Sequence, residues 1–443
     1  MLSNAGGVIS GMDAVQSDDS STSSRSAYAN DSELALDRYS GTIFKSLRRI
    51  DQRKWAHAYL KGLLVTPGKK SVRRLAAAIS RDPSVVPSLR QFVSLSPWDF
   101  DEVMTELTRW VARHGPTPVW SIGRAVLPKR GDRSVGVHRY FDPASGRTLN
   151  CQLGLGAFLC VGDTQVPVDW CLHLPESWTG SSERRAETRI PHSEQYQPLW
   201  AQALRLVERL SARTDSASSV VLVDMSDEPD VRWLLHGLAK RRHDFVVAVP
   251  PHLAVLPAGE KTPAPVGART LLQAQSQETA VIGLPHGHQR STLFQTSLVR
   301  LSGNSLGHSP GPVFRLYTEV SPDRPRPVWL TSLAHQAIAE VGSITALQHG
   351  TAYAIGSMQR DFGLLDFEGR SFPGWYHHMA LVSAAYAFQR LHGFNSVVPS
   401  RRQDGHRHGV PPRRHEEISR GRPADRTENA VGRSLSSENR TGN

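Results

Sequence analysis

Apolar residues recur at helical spacing from Leu47 to about Arg113. Trp55, Tyr59 and Leu63 lie four residues apart on one face, and Val72, Leu75, Ala76 and Ile79 repeat the pattern. Asp82-Pro83 predicts a helix start ahead of Val86, Leu89 and Val93. Ser96-Pro97 predicts another, with Asp99, Asp101 and Glu102 where the positive end of the helix dipole favours them. The period changes at Val119. Val119–Ile122, Val135–Phe141 and Leu149–Val161 predict three successive strands, with a turn over 143–146 between the last two. A helix follows over about 198–213, with Leu199, Ala203, Leu206 and Leu210 on one face. Then come a strand over Val220–Val223 ending at Asp224, a helix over 231–241 and a strand over 245–249.

Three strands, then helix, strand, helix and strand, is the order of a ribonuclease H-like α/β fold, a mixed sheet with flanking helices. Residues 251–330 are Gly/Pro-rich with short β-like pieces such as Val313–Tyr317, which predicts a β-rich insertion. Helical pattern returns after Leu333 and is clearest from Trp375 to Leu391, where Met379, Val382, Tyr386 and Leu391 face one way. The expected organisation is therefore a disordered Ser-rich arm (1–40), a helical domain (41–115), the first part of the core (116–250), the insertion (251–330), the C-terminal core helices (331–395) and a disordered Arg-rich tail (396–443).

Composition narrows the function classes. Lys and Arg number 52 against 41 Asp and Glu, a net charge of +11, which points to nucleic acid as a partner. Hydrophobic residues make up 39%, below the roughly 45–50% of globular domains, which fits one core with polar tails. The longest apolar run, Leu153 to Val161, falls well short of the ~20 residues of a membrane span. No cation precedes Arg25, so no signal-peptide pattern is expected. Cys151, Cys160 and Cys171 form no CxxC pair and predict neither a disulfide scaffold nor a zinc ribbon. These features together predict a cytoplasmic protein without a membrane partner.

Several stretches recur in a telling order: Lys70-Ser71, Phe92-Val93, Ser96 to Asp99, Leu127 to Gly131, Ser134 to Val137, Asn150-Cys151-Gln152, Asp169-Trp170, Leu174 to Trp178, Glu183 to Ala186, Val223-Asp224, Asp366 to Ser371 and Gly374 to His378. With these, residues from about Gln52 to Phe394 resemble the DDE transposases of bacterial insertion sequences, which have a ribonuclease H-like core. The resemblance implies three carboxylates around two divalent metals, normally Mg²⁺, that activate a nucleophile and clamp both ends of a phosphoryl displacement. The first carboxylate of the family ends the first core strand; here the Asp pair has become Gly123-Arg124. Asp224 matches the second. The third belongs to a helix whose Arg, Glu and Lys positions are here Gln348, Ala352 and Gln359. Asp224 is thus the one retained catalytic carboxylate, no metal site is expected, and no cofactor follows. Asp169, Asp227, Glu228 and Asp230 are the acids that could rebuild a site; Glu368 is another candidate but sits past the ligand helix and is expected to pair with Arg370.

The resemblance and the charge together predict a degenerate transposase-like protein that binds DNA through its phosphate backbone, alone or as a homodimer. The candidate ligands are Arg73 and Arg74 on the helical domain, Arg124, Lys129 and Arg130 beside the lost site, and Arg184 and Arg185. Arg124 is expected either to hold a phosphate where the metals were or to point into solvent. An active transposase with relocated carboxylates, a decayed product without a role and an interaction module using 251–330 remain open. The pair His377-His378 is expected to pack or contact backbone, since neighbouring helical residues point about 100° apart. Gly303 to Gly307 matches a nucleophile-elbow pattern, but the following prolines predict a turn.

Overall fold

The computed structural model describes residues 19–143, 145–214, 219–259, 263–302, 311–322 and 325–392. The expected tail over 396–443 and the Gly303–Gly307 turn lie outside the described residues.

Five helices open the chain: α1 (Asp19–Ile43), α2 (Ile50–Val65), α3 (Val72–Ile79), α4 (Val85–Ser94) and α5 (Phe100–Ala112). The expectation of a disordered arm over 1–40 fails from Asp19 onward. Leu36, Tyr39 and Ile43 recur at helical spacing and are buried. The Tyr39 hydroxyl donates to the Ala384 carbonyl at 2.8 Å, and its ring packs edge-on against Trp110. A few apolar anchors thus hold the C-terminal half of this Ser-rich helix. In α2 the buried stripe is Ala56, Tyr59, Leu60 and Leu63, the spacing expected of one core-facing side. Asp99 caps α5 by accepting from the Asp101 and Glu102 amides, so that helix begins after Asp99 and not at Ser96.

The sheet strands are β1 (Val119–Pro128), β2 (His138–Asp142), β3 (Arg147–Val161) and β4 (Thr164–Leu172). The short helices α6 (Glu176–Thr179) and α7 (Ser182–Thr188) lead into α8 (Leu199–Arg213), β5 (Val220–Asp224), α9 (Val231–Lys240) and β6 (Phe245–Val249). Strand β3 pairs antiparallel with β1 on one side and with β2 and then β4 on the other. Strands β1, β5 and β6 run parallel. The order β4-β3-β1-β5-β6 is the ribonuclease H-like arrangement, but its third strand is β4, which the periodicity does not reveal. Pro167 interrupts the pattern and sits beside a register shift opposite Ala157 and Phe158, where a missing amide is tolerated.

Residues after β6 add β7 (Ala254–Pro257), β8 (Val266–Gly267), α10 (Ala268–Gln273), β9 (Gln277–Gly283), β10 (Gln289–Leu301), β11 (Phe314–Glu319) and β12 (Val328–Thr331). Strand β12 pairs antiparallel with β6, and β11, β10, β7 and β8 follow it outward. The β-rich insertion therefore extends the central sheet.

Two long helices finish the described chain, α11 (Ile338–Asp361) and α12 (Phe372–His392). Almost every α12 side chain from Trp375 to Phe388 is buried, because α2, α4 and α5 cover one side and β4 the other. A helix apolar all round is the expected result of that sandwich. His377 and His378 lie in this core. The His377 ring nitrogens sit 3.0 Å from the Val93 and Trp98 carbonyls, and His378 contacts the Gly363 carbonyl and the Tyr59 hydroxyl. Burial pushes their pKa values down from 6.5 to about 4 and about 3. Below pH 6.5 the unfolded chain binds protons at these rings that the folded chain refuses until about pH 4 to 3. Stability should therefore fall on acidification, by about 2 kcal/mol for the pair between pH 7 and pH 5.5. Urea unfolding at the two pH values checks this, and His378→Asn should flatten the dependence.

Candidate active site

The parallel register of β1 and β5 places Ile122 opposite Val223, which sets Gly123 beside Asp224. Helix α11 crosses this face and supplies Gln348, Thr351, Ala352 and Ile355. Gly123, Asp224 and Ala352, the three positions inferred from the resemblance, line one cavity of about 390 Å³ with Arg124, Tyr140 and Asp227. Of these three positions only Asp224 carries a carboxylate. A Cβ on Gly123 would lie 2.7 Å from Thr351 Cγ2 and 2.8 Å from Ile355 Cδ1. Two residues earlier on the same strand face, Ser121 and Thr351 share a buried hydroxyl hydrogen bond of 2.6 Å. Helix α11 therefore occupies the room that a carboxylate at 123 would need.

Arg124 fills the adjoining space. Its guanidinium makes a bidentate pair with Asp227 and also donates to the Tyr140 hydroxyl at 3.1 Å and the Asp224 carbonyl at 3.2 Å. Burial opposes the charge, but the Asp227 carboxylate and Tyr140 outweigh it and raise the Arg124 pKa. Burial likewise opposes ionisation of Asp227, and the guanidinium overcomes it and lowers that carboxyl below its ordinary value. Arg124 is thus not turned to solvent: its donors brace β1 and β2 against the loop after β5. Neither Tyr140 nor the Asp227 pairing is marked by the sequence pattern. Arg124→Ala should lower stability by about 1–2 kcal/mol, a modest figure because the Asp227 side chain is 35% exposed. Thermal melts of the wild type and the variant check this.

The donor set does not fit two divalent cations. Gly123 and Ala352 offer no ligand, and Arg124 neutralises Asp227. Gln348 presents a buried Oε1 without a hydrogen-bond partner among the described residues, a neutral acceptor where an anion is wanted. Asp224 Oδ1 accepts from the Ser226 amide at 3.0 Å. Asp169 is held elsewhere, fully buried under α8 with Arg209 and Arg213 each 2.8 Å away. Among the described residues no group of three His, Cys, Asp or Glu is placed to hold a metal ion.

The other predicted ligands separate by their partners. Lys129 donates to the Phe367 carbonyl at 2.9 Å, and burial lowers its pKa to about 8. Arg185 spends its donors on the Thr179, Pro191 and Glu194 carbonyls and holds that loop together. Arg184 lies over the Trp178 ring at 4.8 Å. Arg74 donates to the Pro67 carbonyl but stays exposed, and Arg73 and Arg130 are exposed.

A family model described as DDE superfamily endonuclease matches residues 42–283, more than half of the chain. The chain belongs to the DDE superfamily endonucleases. This DDE family member is also similar to a chain in the cryo-EM structure of a piggyBac transposase synaptic complex with hairpin DNA. The identity is 11%, the likeness covers 81% of this chain and 72% of that one, and the TM-score is 0.41. No curated protein matches it. Among the described residues of this DDE chain no helix is long and apolar enough to cross a membrane.

Proposed function

We propose that this chain is a DNA-binding protein on a transposase scaffold, with no phosphoryl-transfer chemistry of its own. The observation that carries the reading is the cavity beside Asp224, where Gly123 and Ala352 stand at the other two ligand positions and Thr351 and Ile355 fill the space above Gly123. Family membership and the net charge of +11 support DNA as the partner. The phosphate contacts fall to the exposed cations Arg73, Arg74 and Arg130 and to Arg184. Arg124, Lys129 and Arg185 serve the protein instead. In this reading the chain is an insertion-sequence product that acts in the cytoplasm, as a monomer or a homodimer.

The test is binding to duplex DNA bearing terminal inverted repeats, measured by fluorescence anisotropy in Mg²⁺ and in excess chelator. Affinity should be the same in both and should fall steeply with salt. Arg73→Ala and Arg130→Ala should each reduce the salt slope by about one. Binding that disappears in chelator and returns with Mg²⁺ would contradict the reading and favour a metal site rebuilt from other acids.

A further inference from the structure

Helix α9 leaves the loop after β5 with an unusual outer face. Trp233, in its first turn, is 49% exposed, while Val231, Leu234, Leu235 and Leu238 on the other face are fully buried. The Arg232 guanidinium lies 5.2 Å from the Trp233 ring centroid and the His236 ring 6.3 Å from it. Lys240, Arg241 and Arg242 are exposed at the end of the same helix. The acids nearby are Asp227, Glu228 and Asp230 in the loop before the helix, Glu208 and, after the helix, Asp244; Asp230 lies 4.0 Å from Arg232, Asp227 pairs with Arg124 and Glu208 pairs with Arg241. Arg232 also lines a cleft of about 240 Å³ with Asp230 and His252, at the end of β6. That cleft and the cavity beside Asp224 open at the same edge of the sheet, at the C-terminal ends of the neighbouring parallel strands β5 and β6.

An exposed indole with cations before and after it suits a nucleobase flanked by its phosphates. Stacking accepts any base, while the cations follow the backbone. A base inside a duplex has both faces covered by its neighbours, so the ring selects an unpaired one. We propose that the α9 face is a binding surface for single-stranded DNA, with Trp233 as the stacking platform and Arg232 and Lys240 as phosphate contacts. It deepens the DNA-binding reading above by naming a second form of DNA and the residues that take it.

The test compares wild type, Trp233→Ala and Trp233→Phe on a labelled oligothymidylate and on a duplex, with thermal melts to show that the variants fold. Trp233→Ala should weaken binding to the single strand by about 5- to 150-fold and leave duplex binding within about twofold. Trp233→Phe, which keeps an aromatic face, should retain most of the affinity. Unchanged single-strand affinity in Trp233→Ala would overturn the proposal. Wild type binding duplex but not oligothymidylate would overturn it while leaving the duplex reading in place; binding to neither would overturn both. Tighter binding of oligouridylate would reassign the surface to RNA, and Trp233-dependent binding of polyglutamate in preference to DNA would reassign it to an acidic protein.

Discussion

Asp169→Ala is expected to cost about 3–5 kcal/mol, a large fraction of the roughly 5–15 kcal/mol that stabilises an ordinary domain. The Asp169 side chain is 0% exposed and receives Arg209 and Arg213 at 2.8 Å each and the Trp170 amide at 2.7 Å. Arg213 is itself only 8% exposed and reaches on to Asp101 of α5. The carboxylate thus ties β4, α8 and α5 together. Its loss leaves Arg209 facing a buried gap without its counter-charge and Arg213 with only the exposed Asp101. Asp169→Asn keeps one acceptor oxygen and should recover a small part. Urea unfolding should show a large fall in midpoint with an unchanged slope. A loss below about 1 kcal/mol would mean that water or a neighbour replaces the carboxylate, against the packing described.

The second large effect concerns an attempt to restore the lost ligands. Gly123→Asp with Ala352→Glu should not create a metal site and should destabilise the chain by about 3 kcal/mol. The new Cβ at 123 meets Thr351 and Ile355 at under 3 Å, an overpacking cost of about 1–3 kcal/mol, and the carboxylate must also leave water. Adding Ile355→Ala should return part of the loss by removing the atom 2.8 Å from that Cβ. Thermal melts with and without Mn²⁺ check this. A rise of several degrees with Mn²⁺ in the double variant would show that only the ligands were missing and that α11 yields easily.

Much of this arrangement was legible in the chain because period reports burial. The strands β1, β5 and β6 and the helices α8 and α9 follow from apolar spacing, and the count back along α11 lands Ala352 in the same cavity as Asp224. What escaped has physical reasons. Strand β4 is buried on both faces and contains Pro167, so it shows neither alternation nor an uninterrupted run. Helix α1 is Ser-rich and held by isolated anchors such as Tyr39. The extension of the sheet beyond β6 depends on the pairing of Val249 with Val328, a contact no local pattern records. At the site, Gly123 reads as a missing ligand, but only the packing shows that α11 has closed over it. Arg124 and Asp227 lie 103 residues apart, so their pairing is invisible to motif spacing.

The central claim is that the scaffold holds DNA without cutting it. The most direct measurement is strand nicking and joining on DNA bearing terminal inverted repeats, in Mg²⁺ and in Mn²⁺, with wild type and Asp224→Ala side by side. The account predicts no product above background in either metal, and no difference between the two proteins. A metal-dependent product that forms with wild type and disappears with Asp224→Ala would contradict it.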